Sequence, residues 1–81
     1  MIRITYSKNS KKVLDSYDKK TSLRIVKAIE NIPLGDIKRL EGNNVPLLYR
    51  LRIGKHRVIY FYPDNYNIRI LKIDTRGDVY K

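Results

Sequence analysis

Three arginines lie within a short segment, YRLRIGKHRVIY at residues 49–60, that is otherwise typical of β-strands. Arg50 and Arg52 precede a Gly-Lys pair at 54–55, and Arg57 follows it. A glycine at the first central position favours a two-residue type II′ turn, so the segment predicts a β-hairpin. Guanidinium groups meet phosphate oxygens through paired hydrogen bonds while keeping their charge. The chemistry that this pattern indicates is phosphate binding.

The register of this hairpin places the arginines on one face of a sheet. With a two-residue turn, Arg52 lies opposite Arg57, and Arg50 lies opposite Ile59, because side chains alternate along a strand. A shift by one residue would expose the apolar side chains of the other face, which fixes the register. That other face consists of Leu47, Tyr49, Leu51, Ile53, Val58 and Tyr60.

Like charges directly opposite each other destabilise a sheet, so the arginine cluster needs an explanation. If this face binds phosphate, Ile59 and Phe61 form an apolar floor or stack on a base. Alternatively, Arg50 and Arg52 extend into solvent and prevent a sheet edge from pairing with another chain. The hairpin pattern alone leaves both interpretations open.

The composition favours a polyanionic partner. The 81 residues include 18 Lys and Arg but 8 Asp and Glu, for a net charge of +10. Such an excess predicts attraction to nucleic acid, an anionic membrane surface or an acidic protein. A solvated lysine-rich surface, as in heat-adapted proteins, is the alternative. The length predicts one domain over residues 1–81.

Several classes of site are excluded. The chain has no cysteine, which rules out disulfides, thiolate nucleophiles and Cys-based zinc sites. Its single histidine, His56, leaves no transition-metal site, and we expect no cofactor. Strand alternation places His56 on the helix-covered face at the hairpin tip, which predicts a structural or solvent-exposed residue rather than a catalytic one. No apolar run approaches the ~20 residues of a membrane span. Residues 1–10 lack the apolar region typical of a secretory signal, so we expect a cytoplasmic protein without a membrane partner.

The hydrophobic spacing predicts an α+β fold. Ser7 and Asp18 are candidate N-caps, and Pro33 should end the second helix. The order β-α-α-β-β-β predicts an antiparallel sheet with two N-terminal helices packed on one face. The predicted elements are a strand at 2–6, helices at 8–17 and 19–32, an irregular connection at 33–46, strands at 47–53, 56–62 and 66–73, and a polar tail at 74–81.

Three runs together resemble the RelE/ParE superfamily of toxins from type II toxin–antitoxin systems. They are GDIKRLEG, LYRLRIGKHRVIYFY and ILKIDTRGDVYK, and the specific part spans Gly35 to Tyr80. The resemblance implies a small basic toxin that an acidic antitoxin inactivates in a hetero-oligomer. RelE-like members cut mRNA in the ribosomal A site without metal, whereas ParE-like members act on DNA gyrase.

The resemblance also implies roles for single residues. Arg52 resembles a catalytic basic position, and Arg57 resembles the arginine that contacts the scissile phosphate. Arg76 and Tyr80 resemble the arginine and the substrate-orienting tyrosine of the C-terminal motif. Many members carry histidine where this chain has Thr75, which leaves the proton-transfer group unassigned. Further candidates for RNA binding are Arg50, Lys55, Phe61, Lys38 and Arg39.

The implied reaction is attack of the RNA 2′-oxygen on the adjacent phosphorus, which leaves a 2′,3′-cyclic phosphate and a 5′-hydroxyl. The joint presence of Arg52, Arg57, Arg76 and Tyr80 favours this nuclease, because gyrase inhibitors of the superfamily usually lack the full set. A gyrase inhibitor, a non-catalytic nucleic-acid-binding module and an inactive relic remain the alternatives.

Overall fold

Residues 2–40 and 46–75 are described by a computed structural model. Arg76 and Tyr80 therefore lie outside the described residues. The predicted α+β class is confirmed, with two N-terminal helices against one face of the sheet. None of the helices in these ranges is long and apolar enough to cross a membrane. The elements are β1 (Arg3–Tyr6), α1 (Lys8–Ser16), α2 (Lys19–Glu30), β2 (Asp36–Arg39), β3 (Tyr49–Ile53), β4 (His56–Asp64) and β5 (Asn67–Thr75).

Strand β2 adds a fourth C-terminal strand to the predicted order. It lies in the segment 33–46, which was predicted to be irregular, and it pairs antiparallel with β3. Four residues are too few to show an alternating pattern, so the pairing with β3 determines this strand. Ile37 packs against the core. Leu40 continues the connection, and its N–H donates to the carbonyl of Leu48 over 2.9 Å.

The strands form one sheet in the order β1-β5-β4-β3-β2. Neighbours from β2 to β5 are antiparallel, but β1 lies parallel to β5, so the sheet is mixed rather than purely antiparallel as predicted. The reason is the connection: β1 leads into two helices instead of a hairpin, and such a crossover permits parallel pairing.

The turn between β4 and β5 lies later than predicted. Pro63 and Asp64 belong to β4, and Asn65-Tyr66 form the turn. The Asp64 carboxylate accepts the N–H of Tyr66 over 2.7 Å, as in an Asx turn. Pro63 is tolerated in the strand because the β4–β5 ladder is irregular between Phe61 and Asp64.

Two serines fix α1 onto β5. Ser7 is the predicted N-cap, and its Oγ accepts the N–H of Ser10 over 3.1 Å. The Ser7 N–H donates to the Ile70 carbonyl over 2.9 Å, and its Oγ donates to the Leu71 carbonyl over 2.9 Å. Leu71 is a bulge in β5, since the neighbouring pairs are Ile59 with Lys72 and Tyr60 with Ile70. Asp18 takes the N-cap position of α2, as predicted.

The core fills the space between the helices and the apolar face of the sheet. The predicted apolar face is confirmed for its members within β3 and β4, whereas Leu47, before β3, is 44% exposed. The buried side chains are Leu14, Ile25, Ile29, Ile32, Leu51, Ile53, Val58, Tyr60, Ile68, Ile70 and Ile73.

Replacement of Ile25 by alanine should lower the free energy of unfolding by about 2–5 kcal/mol, because this side chain is fully buried and its removal leaves a cavity. The matched change Leu23→Ala lies on the same helix at a side chain that is 58% exposed, and it should alter stability by less than about 0.5 kcal/mol. Denaturant unfolding measures both. Equal losses in the two variants would contradict this assignment of the core face.

Candidate nucleic-acid interface

The sheet face opposite the helices, here called the open face, carries the arginine cluster. Its central row runs across four strands as Asp36, Arg52, Arg57 and Asp74, each paired with the next. The adjacent row is Lys38, Arg50, Ile59 and Lys72. The predicted hairpin register is confirmed, including Arg52 opposite Arg57 and Arg50 opposite Ile59. Gly54 has a φ of 61°, and no other residue of the turn has positive φ, as a type II′ turn requires.

Arg57 is held by an aspartate on the next strand. Its Nε donates to Asp74 Oδ1 over 3.3 Å, and its Nη2 donates to Oδ2 over 3.0 Å. Lys72 Nζ lies 3.7 Å from the same Oδ2. The Arg57 side chain is 25% exposed, so this guanidinium is partly shielded but still reachable from solvent.

Arg50 is the most buried cation of the cluster. Its side chain is 17% exposed, and its Nη2 lies 3.6 Å from Asp36 Oδ1. Its Nε is buried and meets no acceptor among the described residues. An unsatisfied buried donor costs about 1–3 kcal/mol.

Arg52 differs from its neighbours. It is exposed, and it forms no salt bridge with the residues in 2–40 and 46–75. It lies between Asp36 on β2 and Arg57 on β4. Its charge is thus available to an anion at the centre of the open face.

The other predicted site residues fall into three groups. Lys38 and Phe61 share the open face with the arginines, since Lys38 pairs with Arg50 and Phe61 pairs with Arg69. Arg39 pairs with Tyr49 and so belongs to the opposite face, away from the cluster. Lys55 is exposed in the hairpin turn. Arg76 and Tyr80 are outside the described residues.

Two cations of β5 that lie on the open face were missed by the sequence reasoning. Arg69 and Lys72 are three positions apart, and simple alternation would place them on opposite faces. The bulge at Leu71 shifts the phase of β5, so that Arg69 pairs with Phe61 and Lys72 pairs with Ile59 on the same face. The buried Ile70 and Ile73, also three apart, were the available signal of this shift.

His56 lies on the helix-covered face, as predicted, and is 8% exposed. Its Nδ1 is 2.9 Å from Thr75 Oγ1, which is 2.8 Å from the Tyr17 hydroxyl. Its ring also contacts Tyr17, with 5.0 Å between the centroids. Burial, followed by the nearby charges of Lys55 and Arg24, lowers the pKa of His56. Within the described ranges, no group of three His, Cys, Asp or Glu side chains could hold a metal ion.

No family model matches the chain, and neither does any curated protein sequence. Among solved structures, it is similar to a chain of the archaeal RelE–RelB complex from Pyrococcus horikoshii OT3. The two are 34% identical with a TM-score of 0.73, and the match covers 95% of this chain and 97% of the other. The chain belongs to the RelE family.

Two further structures share the RelE-like toxin fold. The YoeB dimer from Staphylococcus aureus is 22% identical, with a TM-score of 0.73 and coverage of 93% of this chain and 97% of the other. The RelBE2 toxin–antitoxin complex from Mycobacterium tuberculosis is 18% identical, with a TM-score of 0.70 and coverage of 93% and 98%. The resemblance that the sequence motifs indicated is thereby confirmed.

In this RelE-family chain, the hydroxyl of Thr75 is engaged by His56 and Tyr17. His56, the only histidine of the chain, points to the helix side. The open face is therefore a cationic surface that can bind phosphate and stabilise developing negative charge. The imidazole of His56 lies on the opposite side of the sheet.

Replacement of Arg52 by threonine should stabilise the fold, because it removes a like-charge pair with Arg57 and introduces a good strand former. Little attraction is lost on the other side, since the salt bridge of Asp36 is with Arg50. The expected gain in the free energy of unfolding is about 0.2–1 kcal/mol at low ionic strength. It should shrink as salt screens the repulsion. The control Arg3→Thr removes the same charge on the same face, where the partner is the neutral Asn67. A stability gain in Arg3→Thr equal to that in Arg52→Thr would contradict the prediction.

His56 should make the fold less stable in mild acid. Because its pKa is lowered from 6.5 in the folded state, the unfolded chain takes up the proton first. Its contribution is therefore complete above about pH 7 and is lost as the pH falls through 6.5 towards the folded pKa. Denaturant unfolding at about pH 7.5 and about pH 5.5 should show a smaller loss for His56→Gln than for the wild type. An unchanged pH dependence in the variant would refute this origin.

Proposed function

We propose that this chain is the toxin of a type II toxin–antitoxin pair and that it cleaves mRNA in the ribosomal A site. The observation that carries the proposal is the facing pair Arg52 and Arg57 at the centre of an open sheet face. A fold does not need this pair, since like charges opposite each other destabilise a sheet. A surface that binds a phosphodiester gains from two adjacent arginines, because each can donate paired hydrogen bonds to phosphate oxygens.

In the proposed reaction, the RNA 2′-oxygen attacks the adjacent phosphorus. A bond forms between the 2′-oxygen and phosphorus, the bond from phosphorus to the 5′-oxygen breaks, and the proton of the 2′-hydroxyl is lost while the 5′-oxygen gains one. Arg57 and Arg52 donate hydrogen bonds to the phosphoryl oxygens, where negative charge increases in the transition state. Arg76 and Tyr80 are proposed to complete the site from the C-terminal motif.

Guanidinium groups remain protonated near neutral pH. The open face is therefore proposed to act through charge stabilisation and through alignment of the 2′-oxygen, which can supply much of a reaction's acceleration when the geometry is in line. The message must adopt that alignment on the ribosome, which explains why free RNA would be a poor substrate. Arg50, Lys38 and Phe61 are proposed to bind the RNA beside the reacting phosphate, with Lys55 at the hairpin tip and Arg39 on the opposite face contributing further charge.

The proposed protein partner is an acidic antitoxin in a hetero-oligomer. The net charge of +10 favours an acidic, flexible chain that orders on binding. The Pyrococcus horikoshii structure is itself a RelE–RelB complex, and the Mycobacterium tuberculosis structure is a toxin–antitoxin complex. Both agree with a toxin whose basic surfaces are covered until the antitoxin is removed.

Translation in a cell-free extract tests the proposed activity. Addition of the purified chain should yield messages cut at the codon in the A site, with 2′,3′-cyclic phosphate ends, and the same RNA without ribosomes should stay largely intact. Intact messages together with blocked supercoiling by DNA gyrase would reject the nuclease in favour of gyrase inhibition. Intact messages and unaffected gyrase would leave a nucleic-acid-binding module.

Replacement of Arg57 by alanine should reduce the rate of A-site cleavage by about 10²–10³-fold, the usual loss when one donor to a developing oxyanion is removed. The matched control is Arg24→Ala, which removes the same charge from an exposed position on α2, behind the sheet. It should leave the rate nearly unchanged. Single-turnover cleavage of ribosome-bound message measures both, and equal losses would show that net charge alone matters.

A further inference from the structure

The contact between Arg57 and Asp74 joins two directly paired residues of β4 and β5. Both side chains are about three-quarters buried, with 25% and 26% exposed, so the pair is better shielded than most surface ion pairs. Asp74 uses both of its oxygens, on Nε and on Nη2. Two parallel bonds fix the plane of a guanidinium as well as its position.

The geometry leaves part of the guanidinium available. Arginine has five N–H donors, and Asp74 engages one on Nε and one on Nη2. The remaining donors are the second hydrogen of Nη2 and both hydrogens of Nη1. These form the end of the side chain, which can hold two oxygens of another anion without displacing the aspartate.

The charge balance around the pair also permits a second anion. Lys72 Nζ lies 3.7 Å from Asp74 Oδ2, and its positive charge offsets that of the carboxylate. On the other side of Arg57 lies Arg52, which is exposed and forms no salt bridge with the described part of the chain. An anion at the end of Arg57 therefore lies between strands that carry two arginine charges, while Lys72 offsets the charge of Asp74.

We infer that Asp74 is a positioning residue, which binds the edge of the Arg57 guanidinium formed by Nε and Nη2 and presents its end to a phosphodiester. The inference rests on the proposed function and refines it. Asp74 does not touch the RNA; it fixes the orientation of the arginine before the substrate arrives. In the alternative arrangement the carboxylate occupies the phosphate site and must leave before RNA can bind.

The kinetic test compares Asp74→Asn and Asp74→Glu with Asp15→Asn. Asp15 is exposed on α1, and its replacement gives the same change in net charge away from the open face. Asp74→Asn should lower the maximal rate of A-site cleavage by about tenfold, because a misaligned group loses acceleration rather than affinity. The toxin concentration at half-maximal rate should match that of Asp15→Asn, and Asp74→Glu should recover part of the rate. A maximal rate in Asp74→Asn equal to or above that of Asp15→Asn would overturn the inference.

A second measurement is independent of cleavage. The Nε–Hε signals of arginine side chains can be followed by NMR in the full chain while inorganic phosphate is added. In the wild type, the chemical shift of the Arg57 Nε–Hε signal should stay unchanged, since Nε remains hydrogen-bonded to Asp74. The Nη signals should shift. In Asp74→Asn the Nε–Hε signal should move with phosphate. Movement of that signal in the wild type as far as in the variant would show that phosphate displaces Asp74, and the inference would fail.

The two measurements separate this inference from the proposed function. If the wild-type chain does not cut messages on ribosomes, the proposed function fails. The NMR titration still decides whether Asp74 stays bonded to Arg57 when phosphate binds. If the wild type cuts messages but Asp74→Asn behaves like Asp15→Asn, the function stands and the positioning role is refuted.

Discussion

The two-residue turn at Gly54-Lys55 is the constraint on which the arrangement of this protein depends. The turn sets the pairing of β3 with β4, and the pairing decides which side chains enter the core and which meet solvent. Val58 and Leu51 face the helices because Arg57 and Arg52 face the other side of the sheet. The core and the basic surface are thus two results of a single register, and the hydrophobic energy of one face holds the cations of the other in place.

The helices contribute to the site from behind the sheet. The serines at the start of α1 bond to the carbonyls of Ile70 and Leu71, where β5 is irregular. Backbone groups that a bulge leaves without a ladder partner need other hydrogen bonds, and the serine side chain supplies one. The helix therefore stabilises an irregular strand, and that strand carries Asp74, which orients Arg57.

The hairpin and the helices could be predicted from the sequence because their signals are local. A glycine-containing turn fixes the pairing of Arg52 with Arg57, and the spacing of Ile25 and Ile29 marks the buried side of α2. The parallel pairing of β1 and the existence of strand β2 could not be predicted, since both depend on a neighbouring strand that is distant in sequence. For the same reason, the sequence does not show that Arg39, a candidate for RNA binding, pairs with Tyr49 and so lies on the other face. The partnership of Arg57 with Asp74 required the register of β5, which the bulge changes.

The bulge at Leu71 makes β5 two half-strands of opposite phase. Before it, even-numbered residues such as Ile68 and Ile70 face the core; after it, the odd-numbered Ile73 does. One additional residue has thus been absorbed in the middle of a sheet without moving any apolar side chain into water. A strand of this kind accommodates one extra residue and keeps both of its faces, because the helix cap satisfies the carbonyls that the bulge frees. An extra residue at 54–55 would instead need a turn of another type, because the register of β3 with β4 keeps Val58 and Leu51 in the core.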